Sequence, residues 1–333
     1  MASTLAYVGR RFLNLLIVIW IAGTLNFAIP RLIPGDPVQS AFATLAAQGG
    51  RANDIAVLKA SWDKKLGLDA PLPVQYVNYW VGVATLDFGI SVTRYPAPAG
   101  NLIWGALPWT IGLLGVSTLI AFVVGTLMGA LLAWPRSPRF VRVLAAPFLL
   151  LSSIPYYLLA ILLIAIFAGA LRLLPPASGF SPSLILGWNM KSVLDIANHA
   201  ILPSLSIVLG AIGFWALGMR ALMIGELGTD YISYADSKGL RPRRVFLRYG
   251  LRNALVPQIT ALALALATVV SGAVLVEAIF AYPGLGGLLY KSIVAKDIFV
   301  VNGIVTILII TLGVGVFLID LTLPILDPRI RRS

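Results

Sequence analysis

The sequence predicts an all-α integral membrane protein with six transmembrane helices and both termini on the cytoplasmic side. Three observations predict it. Of the 333 residues, 59% are hydrophobic and 11% charged, a balance outside that of water-soluble globular domains. Six apolar runs are each long enough to cross about 30 Å of hydrocarbon: Phe12 to Pro30, Trp109 to Trp134, Val143 to Leu171, Leu202 to Met223, Ala254 to Phe280 and Val300 to Leu323. The basic residues also segregate. One side collects Arg10 and Arg11, then Arg136, Arg139 and Arg142, then the polar stretch Thr229 to Pro257, then Arg329, Arg331 and Arg332. The opposite short loops hold only Arg172, Lys191, Lys291 and Lys296. The richer side is cytoplasmic by the positive-inside rule.

The formal net charge of +12 follows from that distribution, and no nucleic-acid partner is expected. With no cysteine in the chain, disulfides, thiolate metal sites and a cysteine nucleophile are excluded. One histidine, His199, cannot build a histidine-based metal site, and a Ser-His-Asp triad is not expected. The reading therefore contains no catalytic residue, no metal and no cofactor held by this chain.

In chain order, residues 1–30 form a cytoplasmic N-terminus and the first helix. A cleaved signal peptide is the rival, but the small-residue run Ala41 to Ala47 lies far beyond the apolar core, past Pro30, Pro34 and Pro37, so the first helix is expected to stay. Residues 31–108 form an external subdomain in which Arg51, Lys59, Lys64, Lys65 and Arg94 are balanced by Asp36, Asp54, Asp63, Asp69 and Asp87. Asn53 caps an expected helix with Ile55, Leu58, Trp62 and Leu66 on one side and Gly67 as its stop. A second helix follows Pro73, with Val77, Trp80, Val81 and Ala84 on one face. Both aromatic stripes read as packing. Residues 109–323 form a five-helix core that includes a cytoplasmic loop over 229–257, and 324–333 are a cytoplasmic tail.

The 229–257 loop organises the rest. Thr229 is placed to cap a short helix, Asp230 suits its first turn, and Gly239 suits a left-handed stop. On this helix Tyr231, Tyr234, Ala235 and Lys238 recur at i, i+3, i+4 and i+7, a face that wants a partner. A helix of about ten residues is marginal alone in water, and its mixed charges do not suit a membrane surface. A protein partner is expected. Pro242 opens a second helix, where Arg244, Arg248 and Arg252 make a stripe suited to anionic headgroups. An ordinary basic cytoplasmic loop is the plainer alternative.

Little chemistry is visible elsewhere. The chain has no P-loop and no carboxylate pair inside an apolar run. Glu277 and Asp320 lie near the ends of their helices, where an ionisable group is a functional candidate or a structural pair. His199 sits at the outer start of the fourth apolar run. Six membrane helices, no energy source and a cytoplasmic helix shaped to press on another protein point to a permease driven by a partner. The alternatives are a membrane enzyme or ion-coupled carrier acting alone, and a protein that merely anchors a complex.

Tyr231-Ile-Ser-Tyr-Ala-Asp-Ser-Lys-Gly-Leu followed by Leu251-Arg-Asn-Ala-Leu-Val-Pro257 resembles the cytoplasmic EAA loop of ABC importer permeases of the dipeptide, oligopeptide and nickel type. Six further stretches resemble the same subfamily and occur in its order: Leu32-Ile-Pro-Gly-Asp-Pro37, Leu66-Gly-Leu-Asp69 with Gln75-Tyr76, Asp87-Phe-Gly89, His199-Ala-Ile-Leu-Pro203, Phe280-Ala-Tyr-Pro-Gly-Leu-Gly286 and Asp327-Pro-Arg329. The early Arg-Arg, single helix and long external loop resemble its first permease subunit. The Glu that names the motif would fall at Ser233, and the motif's later Leu-Pro is absent near Leu251. The resemblance implies a type I importer permease fold in a bacterial or archaeal cytoplasmic membrane. It also implies a homologous second permease, two cytoplasmic ATPases that bind ATP and Mg, and an extracytoplasmic solute-binding protein. Its coupling helix maps onto Tyr231, Tyr234, Ala235, Lys238, Gly239 and Leu240, and Glu277, Phe280 and His199 are candidate pathway or gate positions. Short peptides are the expected cargo, with oligosaccharides, opines, glutathione or nickel as alternatives.

Overall fold

The computed structural model describes residues 2–32, 67, 69–267, 269 and 274–326, and these residues are helical apart from turns and one isolated antiparallel bridge between Ile90 and Pro98. The expected Asn53-capped helix, the Leu32 to Pro37 stretch beyond its first residue, and the tail with Asp327-Pro-Arg329 lie outside the described residues.

The helices are α1 (Ala2–Leu32), α2 (Leu72–Thr85), α3 (Ala99–Ala133), α4 (Arg139–Leu151), α5 (Tyr156–Leu163, continued by a π-helical segment Ile164–Ala170), α6 (Met190–Leu227), α7 (Asp230–Ser237), α8 (Pro242–Arg244), a π-helical segment Val245–Leu251, α9 (Arg252–Ala267), α10 (Val274–Ile279), α11 (Leu285–Val294) and α12 (Ile298–Leu326). Among the described residues four helices are long and apolar enough to cross a membrane: α1, α3, α6 and α12. A fifth crossing is available if α4 and α5 are one bent span.

That bend is 101°. The sequence offered Val143 to Leu171 as one continuous run. It breaks because Pro155 has no N–H to donate and pushes Ile154 out of helical geometry, so Ser152 to Pro155 form a turn between the two halves. The run Ala254 to Phe280 is helical as α9 and α10, with residues between them outside the described set. Two other runs begin earlier than their apolar onset. α3 starts at Ala99, and α6 starts at Met190 because Asn189 Oδ1 accepts the Ser192 N–H at 2.8 Å and caps the helix. Polar residues such as Lys191 and Asp195 therefore ride on the helix instead of preceding it.

Two compact units divide the described chain. The first holds α1, α2, the start of α3 up to Thr110, α11 and α12. Asn26 on α1 donates to Asn302 O at 3.0 Å and to Thr306 Oγ1 at 3.2 Å on α12, and also to the Tyr79 hydroxyl on α2. The expected face of α2 is not the packed one: Val77, Val81 and Ala84 are exposed and only Trp80 of that stripe is half-buried, while Phe27 on α1 meets the rings of Tyr76 and Tyr79 at 5.2 and 5.6 Å. The apolar centre joins Phe88, Ile103, Leu285, Leu289, Val300 and Ile304. Asp297, fully buried at the start of α12, accepts from the Ser91 hydroxyl, the Thr93 hydroxyl and the Thr93 N–H at 2.5, 2.8 and 3.1 Å, fastening the loop before α3. Asp320 pairs with Arg11 at 3.0 Å, so the acid near the end of α12 is neutralised from α1.

The second unit holds α3 from Ile111, α4 to α9, and α10 from Leu275. Its centre is the approach of α3 to α6. A Cβ added at Gly125 would stand 2.6 Å from Trp215 Cβ and 2.7 Å from the Ile212 carbonyl, and one at Gly129 would overlap the Ala216 carbonyl. Small residues four apart let the two backbones meet, as in close membrane-helix pairs. Ser117 and Ser204 hydroxyls join the same pair at 2.7 Å, and Gln258 on α9 donates to the Trp215 carbonyl at 2.9 Å.

Candidate functional site: the α7 platform

Local signals make α7 start and stop where the sequence places its ends. Thr229 has extended backbone (φ −87°, ψ 150°) at the cap position. Its hydroxyl, however, donates back to the Glu226 carbonyl at 2.6 Å instead of accepting from α7. At the other end Gly239 takes φ +72°. Its N–H bonds the Asp236 carbonyl at 2.9 Å and the Leu240 N–H bonds the Ala235 carbonyl at 3.3 Å. This pair of bonds is a Schellman closure. Leu240 then packs on Ala235, the apolar contact that accompanies it.

The outer face of α7 is not the expected set of Tyr231, Tyr234, Ala235 and Lys238. Ala235 does not share an outer face with the tyrosines: it is 3% exposed and, with Ile232, packs on Trp134 and Val245. An eight-residue helix offers one apolar seam, and here Ile232 and Ala235, three apart, supply it. The outward stripe is Asp230, Ser233, Tyr234, Ser237 and Lys238, spaced i, i+3, i+4, i+7 and i+8 and all exposed. Tyr234 is the large group at its centre, 62% exposed, with Lys238 Nζ 4.5 Å above its ring.

Tyr231 is at the edge of that stripe and does different work. Its hydroxyl donates to the Glu226 carboxylate at the end of α6 and accepts from Asn253 Nδ2 at 2.8 Å in the first turn of α9. Asp236 reaches Arg136 in the connection after α3 at 3.6 Å. One short helix is thus fastened to three elements that continue into long apolar helices. The sequence gives no spacing signal for Glu226, Asn253 or Arg136 as partners of α7, since the contacts bring together residues up to a hundred positions apart.

Beyond α7 the π-helical segment Val245–Leu251 changes the arginine stripe. Its i to i+5 bonding widens the turn there. Arg241, Arg243, Arg244 and Arg248 gather around an open hollow with Leu240 and Leu247, and Arg252 lies outside it.

The three candidate gate positions are all buried in the second unit. His199 lies inside α6, well past its start, with Nδ1 2.9 Å from the Asp195 carbonyl. Asp195 in turn accepts from the Ser181 N–H and hydroxyl at 2.7 and 2.6 Å. The Phe280 carbonyl accepts the Ser178 N–H at 2.7 Å, and Glu277 is fully buried one turn earlier. Burial, with the Glu277 carboxylate adding to it, pushes the Tyr282 hydroxyl up to about 12. The Ser181–Asp195 and Ser178–Phe280 bonds fasten the 171–189 segment to α6 and to the turn after α10. Among the described residues no group of three His, Cys, Asp or Glu side chains could hold a metal ion.

Residues 125–332, which contain α7 and its anchors, match the family described as binding-protein-dependent transport system inner membrane component. The chain belongs to that family. The permease is similar along nearly its whole length to curated proteins: 32% identical to the dipeptide transport system permease protein DppB of Bacillus subtilis, covering 98% of this chain and 97% of that one, and 34% identical to the di/tripeptide transport system permease protein DppB of Pseudomonas aeruginosa, covering 99% of each. The oligopeptide transport system permease protein AppB of Bacillus subtilis is 32% identical over 98% of this chain and 99% of its own. A chain of the MetNI methionine ABC transporter, in an inward-facing crystal form, superimposes with a TM-score of 0.52 at 20% identity, covering 68% of the permease and 96% of that chain. The permease shares that ABC importer fold.

Proposed function

We propose that this permease forms half of the alternating-access pathway of an ATP-driven importer of short peptides, with α7 as the element that receives force from a partner ATPase. The observation that carries the proposal is the anchored helix with a free outer stripe. A helix that moves its neighbours has to be rigid and tied to them, and it has to present a face to whatever drives it. Ile232, Ala235, Tyr231 and Asp236 supply the ties, and Ser233, Tyr234, Ser237 and Lys238 supply the face. Gly239 and Leu240 end the helix sharply beside it.

In this reading the chain has six crossings in a type I importer arrangement, with α4 and α5 as one bent crossing and α9 and α10 as parts of another. Both termini face the cytoplasm, residues 31–108 lie outside, 109–323 are the transport core, and 324–333 are the cytoplasmic tail. Its partners are a homologous second permease, two ATPases that bind ATP and Mg, and an extracytoplasmic solute-binding protein, in a bacterial or archaeal cytoplasmic membrane. The peptide cargo is supported by the names of the relatives. His199 and Phe280 act as buried supports of the 171–189 segment beside the pathway, and Glu277 lies buried one turn before Phe280.

The test is Tyr234→Asp in the complete transporter. A charge placed on the central aromatic of the outer stripe should weaken ATPase co-purification and peptide uptake while the permease still accumulates in the membrane. Normal uptake with full ATPase recovery would refute the assignment.

A further inference from the structure

We propose that the hollow between α7 and α9 is a binding site for the phosphate headgroup of an anionic phospholipid. Its lining is Gly239, Leu240, Arg241, Arg243, Arg244, Leu247 and Arg248, and its volume is about 660 Å³. No carboxylate lines it. All four arginines are exposed, and among the described residues none of them makes an ion pair. Four like charges within two turns repel one another, and a phosphate is the group that several guanidinium forks bind together.

Lipid is favoured over an acidic protein surface by the apolar part of the lining. Leu247, 42% exposed, lies among the arginines. A basic rim with an exposed leucine is the pattern of a helix at the headgroup boundary. The chain also passes from the cluster directly into the apolar helix α9. The outer stripe of α7 differs: Asp230 and Lys238 cancel, so the two surfaces suit different partners.

The inference rests on the reading of this chain as a membrane permease, but its test is separate from the coupling role. The assembled transporter would be reconstituted in nanodiscs of phosphatidylcholine alone or of an equal mixture with phosphatidylglycerol, and retained lipid measured by native mass spectrometry. Each arginine near an anionic surface contributes about fivefold in affinity, so Arg243→Gln, Arg244→Gln and Arg248→Gln together should lower phosphatidylglycerol retention by roughly a hundredfold. The matching triple lysine variant keeps the charge and should retain most of it. Equal retention by the wild type and the glutamine variant would overturn the proposal. Loss of the ATPases from the glutamine variant in phosphatidylcholine alone would also overturn it, by assigning the cluster to an acidic protein surface. Failure of wild-type ATPase assembly would count against the coupling role and leave the lipid measurement standing.

Discussion

Replacing Gly239 separates the conformation of α7's end from its contacts. Gly239 holds φ +72°, and a Cβ built there meets nothing within 4 Å. Gly239→Ala therefore adds no clash, and its whole cost is the left-handed backbone, about 1–2 kcal/mol for an L-residue. That shifts a local equilibrium by roughly 5–30-fold. Asparagine visits this region with less penalty, and β-branched valine with more. The two bonds at stake are Gly239 N–H to Asp236 O and Leu240 N–H to Ala235 O. Hydrogen exchange at Leu240 in the assembled transporter should rise in the order Gly, Asn, Ala, Val, and substrate-stimulated ATP hydrolysis should fall in the same order. Gly239→Val should abolish transport while membrane insertion is preserved. Exchange at Leu240 that is unchanged in Gly239→Ala would refute the reasoning, as would Asn behaving like Val.

Three further outcomes follow from other contacts. Tyr231→Phe keeps the ring and removes the hydroxyl that joins Glu226 to Asn253; the loss is about 1 kcal/mol at this exposed site, and peptide transported per ATP should drop while ATPase recovery stays normal. Gly129→Ala puts a methyl group against the Ala216 carbonyl, a backbone overlap costing about 1–3 kcal/mol, and should lower the detergent melting temperature, whereas Gly105→Ala, where nothing lies within 4 Å, should not. Tyr282 keeps its proton up to about 12 in the folded state but loses it near the usual value of about 10 when unfolded. The folded state then binds more protons across that window, so stability is full below about pH 10 and falls as pH rises toward 12. Tyr282→Phe should remove that part of the decline when melting is followed over the same range.

Much of the architecture was legible because membrane burial writes long apolar runs and helix ends write caps. Gly239 marks the end of α7 by its local chemistry, and Thr229 marks its start by position although its hydroxyl bonds Glu226 O instead of capping the helix. The face of α7 was not legible, since Tyr231, Tyr234 and Lys238 have the same helical spacing whichever way the helix turns. Which seam is buried is decided by Val245 and by Trp134, which is about a hundred positions away in the chain. The same reason hid the Glu226–Tyr231–Asn253 bridge. The π-helical widening at Val245–Leu251 carries no residue pattern that separates it from an α-helix, and only the fold shows that Arg244 and Arg248 share a hollow with Arg241 and Arg243 from which Arg252 is left out. The break at Pro155 was visible as a residue, but only the fold shows that it turns the chain by 101°.

The most direct test of the central claim uses the absence of cysteine from this chain. A single cysteine introduced as Tyr234→Cys, Lys238→Cys or Ala235→Cys can be cross-linked in native membranes that contain the complete transporter, and the adducts identified. Tyr234→Cys and Lys238→Cys should capture an ATPase subunit, with the yield changing when nucleotide is added, while the buried Ala235→Cys should capture none. Capture by Ala235→Cys at the same yield, or no ATPase adduct at Tyr234→Cys and Lys238→Cys, would contradict the assignment of α7's outer stripe as the coupling surface.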